Sequence, residues 1–181
     1  MLCKAPWNHI QVNSQGTVNP CCMFSPTMYK QEYNSLQEAF DGPENQELRK
    51  RMLAGEKITG CHKCDLYDDL GIDSYRKHFD KYEIENPKIR ELEYSIDNTC
   101  NFKCVTCNSR FSTLWYEDDL ELQRMGIPRQ NTYAMRQKKQ LQETGADWRD
   151  LDLSELNYLK IIGGEPFINR KYLEFLQSID L

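Results

Sequence analysis

Residues 92–107 read LEYSIDNTCNFKCVTC, and the fold class turns on them. Leu92, Tyr94 and Ile96 alternate with Glu93 and Ser95, the period-2 pattern of a strand with one buried face. The cysteine triplet follows directly, Cys100, Cys104 and Cys107 in the spacing C-x3-C-x2-C. Further on, Tyr158-Leu-Lys-Ile-Ile162 reads as a second strand ending in Gly163-Gly-Glu-Pro166. Asn169 is placed to cap a helix whose apolar face is Tyr172, Phe175, Leu176 and Ile179. Between the strands, residues 108–150 read as mainly helical, with a break at Gly126-Ile-Pro128. Strand, helical crossover, strand and helix make a βαβα unit, whose strands should run parallel with a right-handed crossover. Parallel pairing puts the cysteine triplet and the Gly-Gly-Glu-Pro turn at the same end of the sheet, so one shared site is expected.

The triplet has its own chemistry. Three thiolates on a tight loop can hold three irons of a 4Fe–4S cube and leave the fourth without a protein ligand. An open position is what a catalytic metal site keeps, whereas a closed set of four suits a structural one. The alternative is a zinc site completed from elsewhere, for instance by His62. Zinc ribbons favour two C-x2-C pairs about 15–20 residues apart; here Cys61/Cys64 and Cys104/Cys107 are separated by 39 residues.

Upstream, residues 8–24 (NHIQVNSQGTVNPCCMF) read as a β-hairpin, with Ile10 and Val12, a turn at Ser14-Gln-Gly16, then Val18 leading into a cysteine pair. Ser35 to Phe40 is a short helix with a capping box from Ser35 to Glu38. Asp41-Gly-Pro43 breaks it, and Glu44 to Leu53 restarts a helix with Leu48, Met52 and Leu53 on one face. Gly60 leads into Cys61-His-Lys-Cys64 and a third helical stretch to about Tyr82. Asn86-Pro87 punctuates the chain, and a domain boundary is expected there, between residues 1–86 and 87–181.

Eight cysteines stand in this chain, five before residue 65 and three after residue 99, which suggests two sites. The MLCKAPWNHI start lacks the apolar core of a signal peptide and no apolar run is long enough to span a membrane, so a cytoplasmic location is expected. In a reducing cytosol the cysteines read as metal ligands, not disulfides. A net charge of −5 argues against binding nucleic acid through a basic surface. The local exception, Arg124, Arg129, Arg136, Lys138 and Lys139, reads as a solvated helix face offset by the acids at 117–121. His9, His62 and His78 show no catalytic pairing. Glu117-Asp-Asp119 reads as helix surface, and Trp115 and Trp148 as packing residues.

The triplet after a strand, with Asn101 behind its first cysteine, and the Gly163–Pro166 turn after the next strand resemble the two signatures of the radical SAM superfamily. Thr106 stands where that family usually has an aromatic residue. The resemblance implies that Cys100, Cys104 and Cys107 hold a catalytic 4Fe–4S cluster and that S-adenosylmethionine completes the fourth iron. Gly163, Gly164, Glu165 and Pro166 would receive the methionyl ammonium, chiefly through backbone carbonyls, with Phe102 also among the cofactor-binding residues. It further implies a 5′-deoxyadenosyl radical that abstracts hydrogen from a substrate.

At the other end, Cys3-x12-Gly16-x4-Cys21 and Cys61-x2-Cys64, with Pro6-Trp7, Val12, Gly16-Thr-Val18 and Pro20, resemble the first part of the SPASM/twitch auxiliary-cluster pattern. That likeness implies a second, auxiliary 4Fe–4S cluster on Cys3, Cys21, Cys61 and Cys64, with zinc in the same thiolates as the alternative. Cys22 is either a small buried apolar residue or a replacement for Cys21. In such enzymes the auxiliary domain usually follows the barrel; here it comes first.

Together the two likenesses imply an α/β fold: a partial radical SAM (β/α) barrel, its first two βα units only, preceded by a small cysteine-rich α+β twitch-like domain. The chain then reads as truncated or as half of a split enzyme, with a downstream chain completing the barrel. A peptide or protein substrate and a reductant such as flavodoxin or ferredoxin follow by analogy. The other function weighed is a non-catalytic iron–sulfur electron-transfer or zinc-binding module lacking a complete active site.

Overall fold

The computed structural model describes residues 2–13, 17–25, 35–109, 111–127 and 148–179. Its strands β1 (His9–Val12), β2 (Val18–Asn19), β3 (Glu91–Tyr94) and β4 (Tyr158–Ile161) form one sheet in the order β2-β1-β3-β4. β1 and β2 are the two arms of the hairpin, closed by Asn13 N–H donating to the Thr17 carbonyl at 3.0 Å. β1 and β3 are parallel. Lys88 N–H donates to the Trp7 carbonyl, Arg90 N–H to Asn8, and Ser95 N–H to Val12, so both strands climb together. β3 and β4 are parallel by the same sign, with Tyr158 N–H on the Arg90 carbonyl and Ile162 N–H on that of Tyr94.

This corrects the fold expected from sequence. The molecule carries a small mixed four-stranded sheet, not the opening of a (β/α) barrel behind a separate twitch-like module. The physical reason lies at the β3 edge. A two-strand parallel start to a barrel leaves that edge unpaired, and here the hairpin strand β1 occupies it, so the N-terminal segment supplies half of the sheet. β4 is the outer strand, and its side chains are only partly covered.

β3 is buried on both faces. Leu92 and Tyr94 are apolar on one side, while Glu91 and Glu93, at 0% and 1% exposure, are buried on the other. A buried carboxylate must be paired. Glu91 accepts from Tyr82 Oη at 2.7 Å, His78 Nε2 at 2.8 Å and Lys81 Nζ at 2.8 Å. Glu93 accepts from Gln11 Nε2 on β1 at 2.9 Å and Lys160 Nζ on β4 at 3.0 Å.

The helices are α1 (Ala5–Asn8), α2 (Leu36–Asp41), α3 (Pro43–Leu53), α4 (His62–Asp69), α5 (Tyr116–Arg124) and α6 (Arg170–Ser178). Ser35 caps α2 by accepting from Glu38 N–H at 3.1 Å, and Asn169 caps α6 by accepting from Lys171 N–H at 2.9 Å. The third helical stretch is interrupted: α4 ends before Gly71, whose φ of 71° is left-handed, and a 3-10 turn at Tyr75–Phe79 follows. Of the long helical region, the described part holds α5; residues 128–147, with most of the basic run, lie outside the described residues. No described helix is long and apolar enough to cross a membrane.

The chain divides into two compact units. One comprises Met1–Gln11, Val18–Glu93 and Ala146–Lys160; the other comprises Val12–Thr17, Tyr94–Gly145 and Ile161–Leu181. The first has a core of Cys3, Ala5, Cys21, Phe24, Leu48, Ile58, Cys61, Phe79 and Tyr82. In the second, Tyr94 packs on Phe175 of α6 with ring centroids 5.2 Å apart.

Candidate metal centre

In the first unit four cysteines arrive from three places. Cys3 precedes α1, Cys21 follows the hairpin, Cys61 closes a 3-10 turn at Thr59–Cys61, and Cys64 lies in the first turn of α4. All four are buried. The Cys21 turn and the Cys61 turn are stitched by Phe24 N–H on the Cys21 carbonyl at 3.2 Å and Ser25 N–H on the Gly60 carbonyl at 2.9 Å. Gly60 is required there, because a Cβ would stand 2.4 Å from the Phe24 ring.

Electrostatics report the same gathering. Burial pushes the Cys3 thiol up to about 12, and the neighbouring Cys61 and Cys64 add to the rise. Burial also holds Cys21 well above the usual thiol range, with Cys3 and Cys61 contributing. Cys61 is raised to about 11, by burial first and then by Asp65 and Cys64. Against these rises stands Arg76, whose positive charge lowers both Cys3 and Cys61. Arg76 is itself held by ion pairs to Asp65 and Asp68 of α4. A cleft of about 380 Å³, lined by Cys3, Cys61, Met52, Ile58, Asp65 and Arg76, opens onto this set.

The donor chemistry fits an all-thiolate group. Apolar burial keeps the free thiols protonated, and a bound cationic centre is what makes such sulfurs ionise. Among the described residues, though, no three His, Cys, Asp or Glu side chains are already set to hold a metal ion. Cys22 is only half-buried and lies outside the core that holds Cys3, Cys21 and Cys61; its thiol is raised to about 11 by burial and by the Glu93 charge. His62 is also apart from the set, exposed and hydrogen-bonded to the Thr59 carbonyl.

The second unit carries the other predicted residues. Cys104 is exposed, and Cys100 and Cys107 are half-buried. Phe102 N–H donates to the Cys100 sulfur at 3.3 Å, and Cys107 N–H donates to the Cys104 carbonyl at 2.9 Å, so the triplet sits on a tight loop. Gly163 and Gly164, with φ of 86° and 42°, lie flush against the segment leading into that loop. A Cβ at Gly163 would stand 2.2 Å from Ser95 Oγ, and one at Gly164 the same distance from the Thr99 carbonyl. Glu165 N–H donates to that Thr99 carbonyl at 2.8 Å, and Gly164 N–H to Phe111 at 3.0 Å. One phenol joins the two strand ends: Tyr172 Oη donates to the Ile162 carbonyl and accepts from Ile96 N–H, both at 2.9 Å. The Glu165 carboxylate turns back to Phe167 N–H at 3.4 Å, and Pro166 opens a 3-10 turn.

Two residues read from sequence as bland belong to this loop. Trp115 is not core packing; its Nε1–H donates to the Cys104 carbonyl at 3.0 Å, and Lys103 lies over its ring. Asp119 is not helix surface; it is 4% exposed and accepts from Ser109 N–H at 2.8 Å. Neither role has a local signal in the sequence. Arg76 has a weak signal only, two acids three apart on α4 that mark where a cation would sit.

No curated protein and no solved structure matches this chain. Residues 3–65 match the family described as SPASM, an iron–sulfur cluster-binding domain. That span begins at Cys3 and ends one residue past Cys64, enclosing the four buried thiols, and it identifies the N-terminal segment as a SPASM-type iron–sulfur auxiliary domain.

Proposed function

We propose that the SPASM-type segment holds one 4Fe–4S cluster through Cys3, Cys21, Cys61 and Cys64, and that the chain serves as an iron–sulfur electron-transfer module. The observation that carries this reading is that four buried thiols, three of them in one apolar core, lie inside the matched span. Bound there, the cluster supplies one-electron chemistry. The protein's part is to exclude water from the sulfurs, to balance thiolate charge with Arg76, and to leave the cleft at Cys3 and Cys61 as the approach for an electron partner. Cys21 is preferred to Cys22 as ligand because Cys21 shares the core of Cys3 and Cys61, whereas Cys22 is half-buried outside it.

A second reading is favoured by the pairing of Gly163–Pro166 with the segment entering the cysteine triplet. In it Cys100, Cys104 and Cys107 hold a second cluster with an open iron. S-adenosylmethionine lies against Phe102 and the Gly163–Pro166 turn, and the chemistry is radical modification of a peptide or protein. The exposure of Cys104 suits an open position, and the two left-handed glycines let backbone approach a ligand.

Anaerobic iron, sulfide and zinc analysis, with EPR of the reduced protein, separates the possibilities. About four irons per chain, lost in Cys61→Ala, support the electron-transfer module. About eight irons and a spectrum perturbed by S-adenosylmethionine add the second reading. Zinc without iron overturns both.

A further inference from the structure

Away from the thiols, the first unit holds a cavity of about 10 Å³ lined by His9, Asn19, Asn45, Ile10, Val18 and Phe40. The three polar residues are 1%, 5% and 4% exposed. His9 Nε2, Asn19 Oδ1 and Asn45 Oδ1 are all buried, and none has a hydrogen-bond partner among the described residues.

The surrounding bonds fix what each atom offers. His9 Nδ1 lies 3.0 Å from the Pro20 carbonyl. A carbonyl only accepts, so Nδ1 carries the hydrogen and Nε2 presents a bare lone pair. Burial holds His9 below its ordinary pKa, which keeps the ring neutral. Asn45 Nδ2 donates to the Pro6 carbonyl at 3.1 Å and the Phe40 carbonyl at 2.7 Å, which fixes Oδ1 as the free end. Asn19 is oriented through a relay. Glu93 accepts from Gln11 Nε2, so Gln11 Oε1 is left to accept from Asn19 Nδ2 at 3.3 Å, and Asn19 Oδ1 is again the free end. Three residues lining one small space each hold an unpaired acceptor among the described residues.

We propose that His9 Nε2, Asn19 Oδ1 and Asn45 Oδ1 form the binding site of a single internal water that ties the β1–β2 hairpin to α3. The volume is about enough for one water molecule, and buried waters typically make two to four bonds to groups otherwise left unpaired. Two hydrogens serve three acceptors when one is shared in a three-centre bond, a common arrangement. The site has a consequence for the thiols. His9 holds the carbonyl just before Cys21, and Asn45 holds the carbonyl of Pro6, three residues after Cys3. The water joins the two segments that present those cysteines, whichever metal group they bind.

Crystals of the intact chain, grown free of ammonium and potassium, test this directly. One density peak within about 3.2 Å of all three atoms is expected. In Asn19→Leu the peak should be lost while the His9–Pro20 bond persists. A space without density, an Asn turned to find a protein partner, or a peak present only when ammonium or potassium is supplied would overturn the proposal. If Asn19→Leu does not fold, the wild-type density decides alone.

Discussion

Arg76 stands between two aspartates and the buried thiols, and its charge acts to lower both Cys3 and Cys61. A nearby positive charge favours the reduced, more negative form of an iron–sulfur centre. Arg76→Gln is therefore expected to lower the midpoint potential of the auxiliary cluster by on the order of tens of millivolts, read by EPR-monitored redox titration. An unchanged potential with intact iron would remove Arg76 from the site. At the other loop, Gly164 is constrained twice, by its φ of 42° and by the Thr99 carbonyl, 2.2 Å from where a Cβ would sit. Gly164→Ala should destabilise the second unit by about 2 kcal/mol or more in urea unfolding, since neither strain nor contact can be relieved by rotating a side chain. A loss of only a few tenths would mean that the turn relaxes.

At the scale of elements, β3 is the organising strand because its two carboxylates are buried and paired, Glu91 by the 78–82 turn and Glu93 by both neighbouring strands. Glu91 is held below the usual carboxylate range: burial acts to raise it, but donors from Lys81, Tyr82 and His78 outweigh that. The unfolded chain therefore takes up a proton before the folded one does as pH falls. The stabilisation from Glu91 is full above about 4.5 and is lost as pH drops through the lower folded value. Glu91→Gln should be less stable than wild type at neutral pH and should show a flatter stability profile below that point, measured by urea unfolding across pH. Asp119 plays a similar part for the cysteine loop, so Asp119→Ala should raise hydrogen exchange at the Ser109 amide and cost about 1–3 kcal/mol. What could be read from sequence follows the same division. The Ser35 and Asn169 caps and the strands at Leu92 and Tyr158 are legible because their signals lie within a few residues. The β1–β3 pairing is not, because it brings Asn8 beside Arg90, 82 positions apart. Period-2 alternation also marks Glu93 as a solvent-facing residue, whereas the second buried face of β3 exists only once Gln11 and Lys160 are in place. The cysteine spacings named the ligand candidates; Trp115, Asp119 and Arg76 depend on contacts that no spacing encodes.

At the scale of the molecule, the two units stake their stability on different things. The first unit builds Cys3, Cys21 and Cys61 into its core beside Phe24, Leu48, Ile58 and Phe79. Thiols in that position contribute modest apolar packing when free, but as ligands they make metal binding part of folding. A group that binds only the folded state stabilises it by mass action, and the gain falls on whatever that group holds together. The second unit keeps its triplet outside its core: Cys104 is exposed, while burial there comes from Tyr94, Tyr172 and Phe175. Removing iron with a chelator under anaerobic, reducing conditions should therefore have an uneven result, read by hydrogen-exchange mass spectrometry. Peptides covering residues 3–8, 18–25, 58–64 and 75–82 should lose protection together, because they share the thiol-containing core. Peptides over α6 and the strand end at Tyr94 should keep theirs, and change in the second unit should be confined to the loop at 100–107. Uniform loss across both units would show that the cysteines of the first unit are not its keystone, and protection unchanged everywhere would mean that its core stands on apolar packing alone.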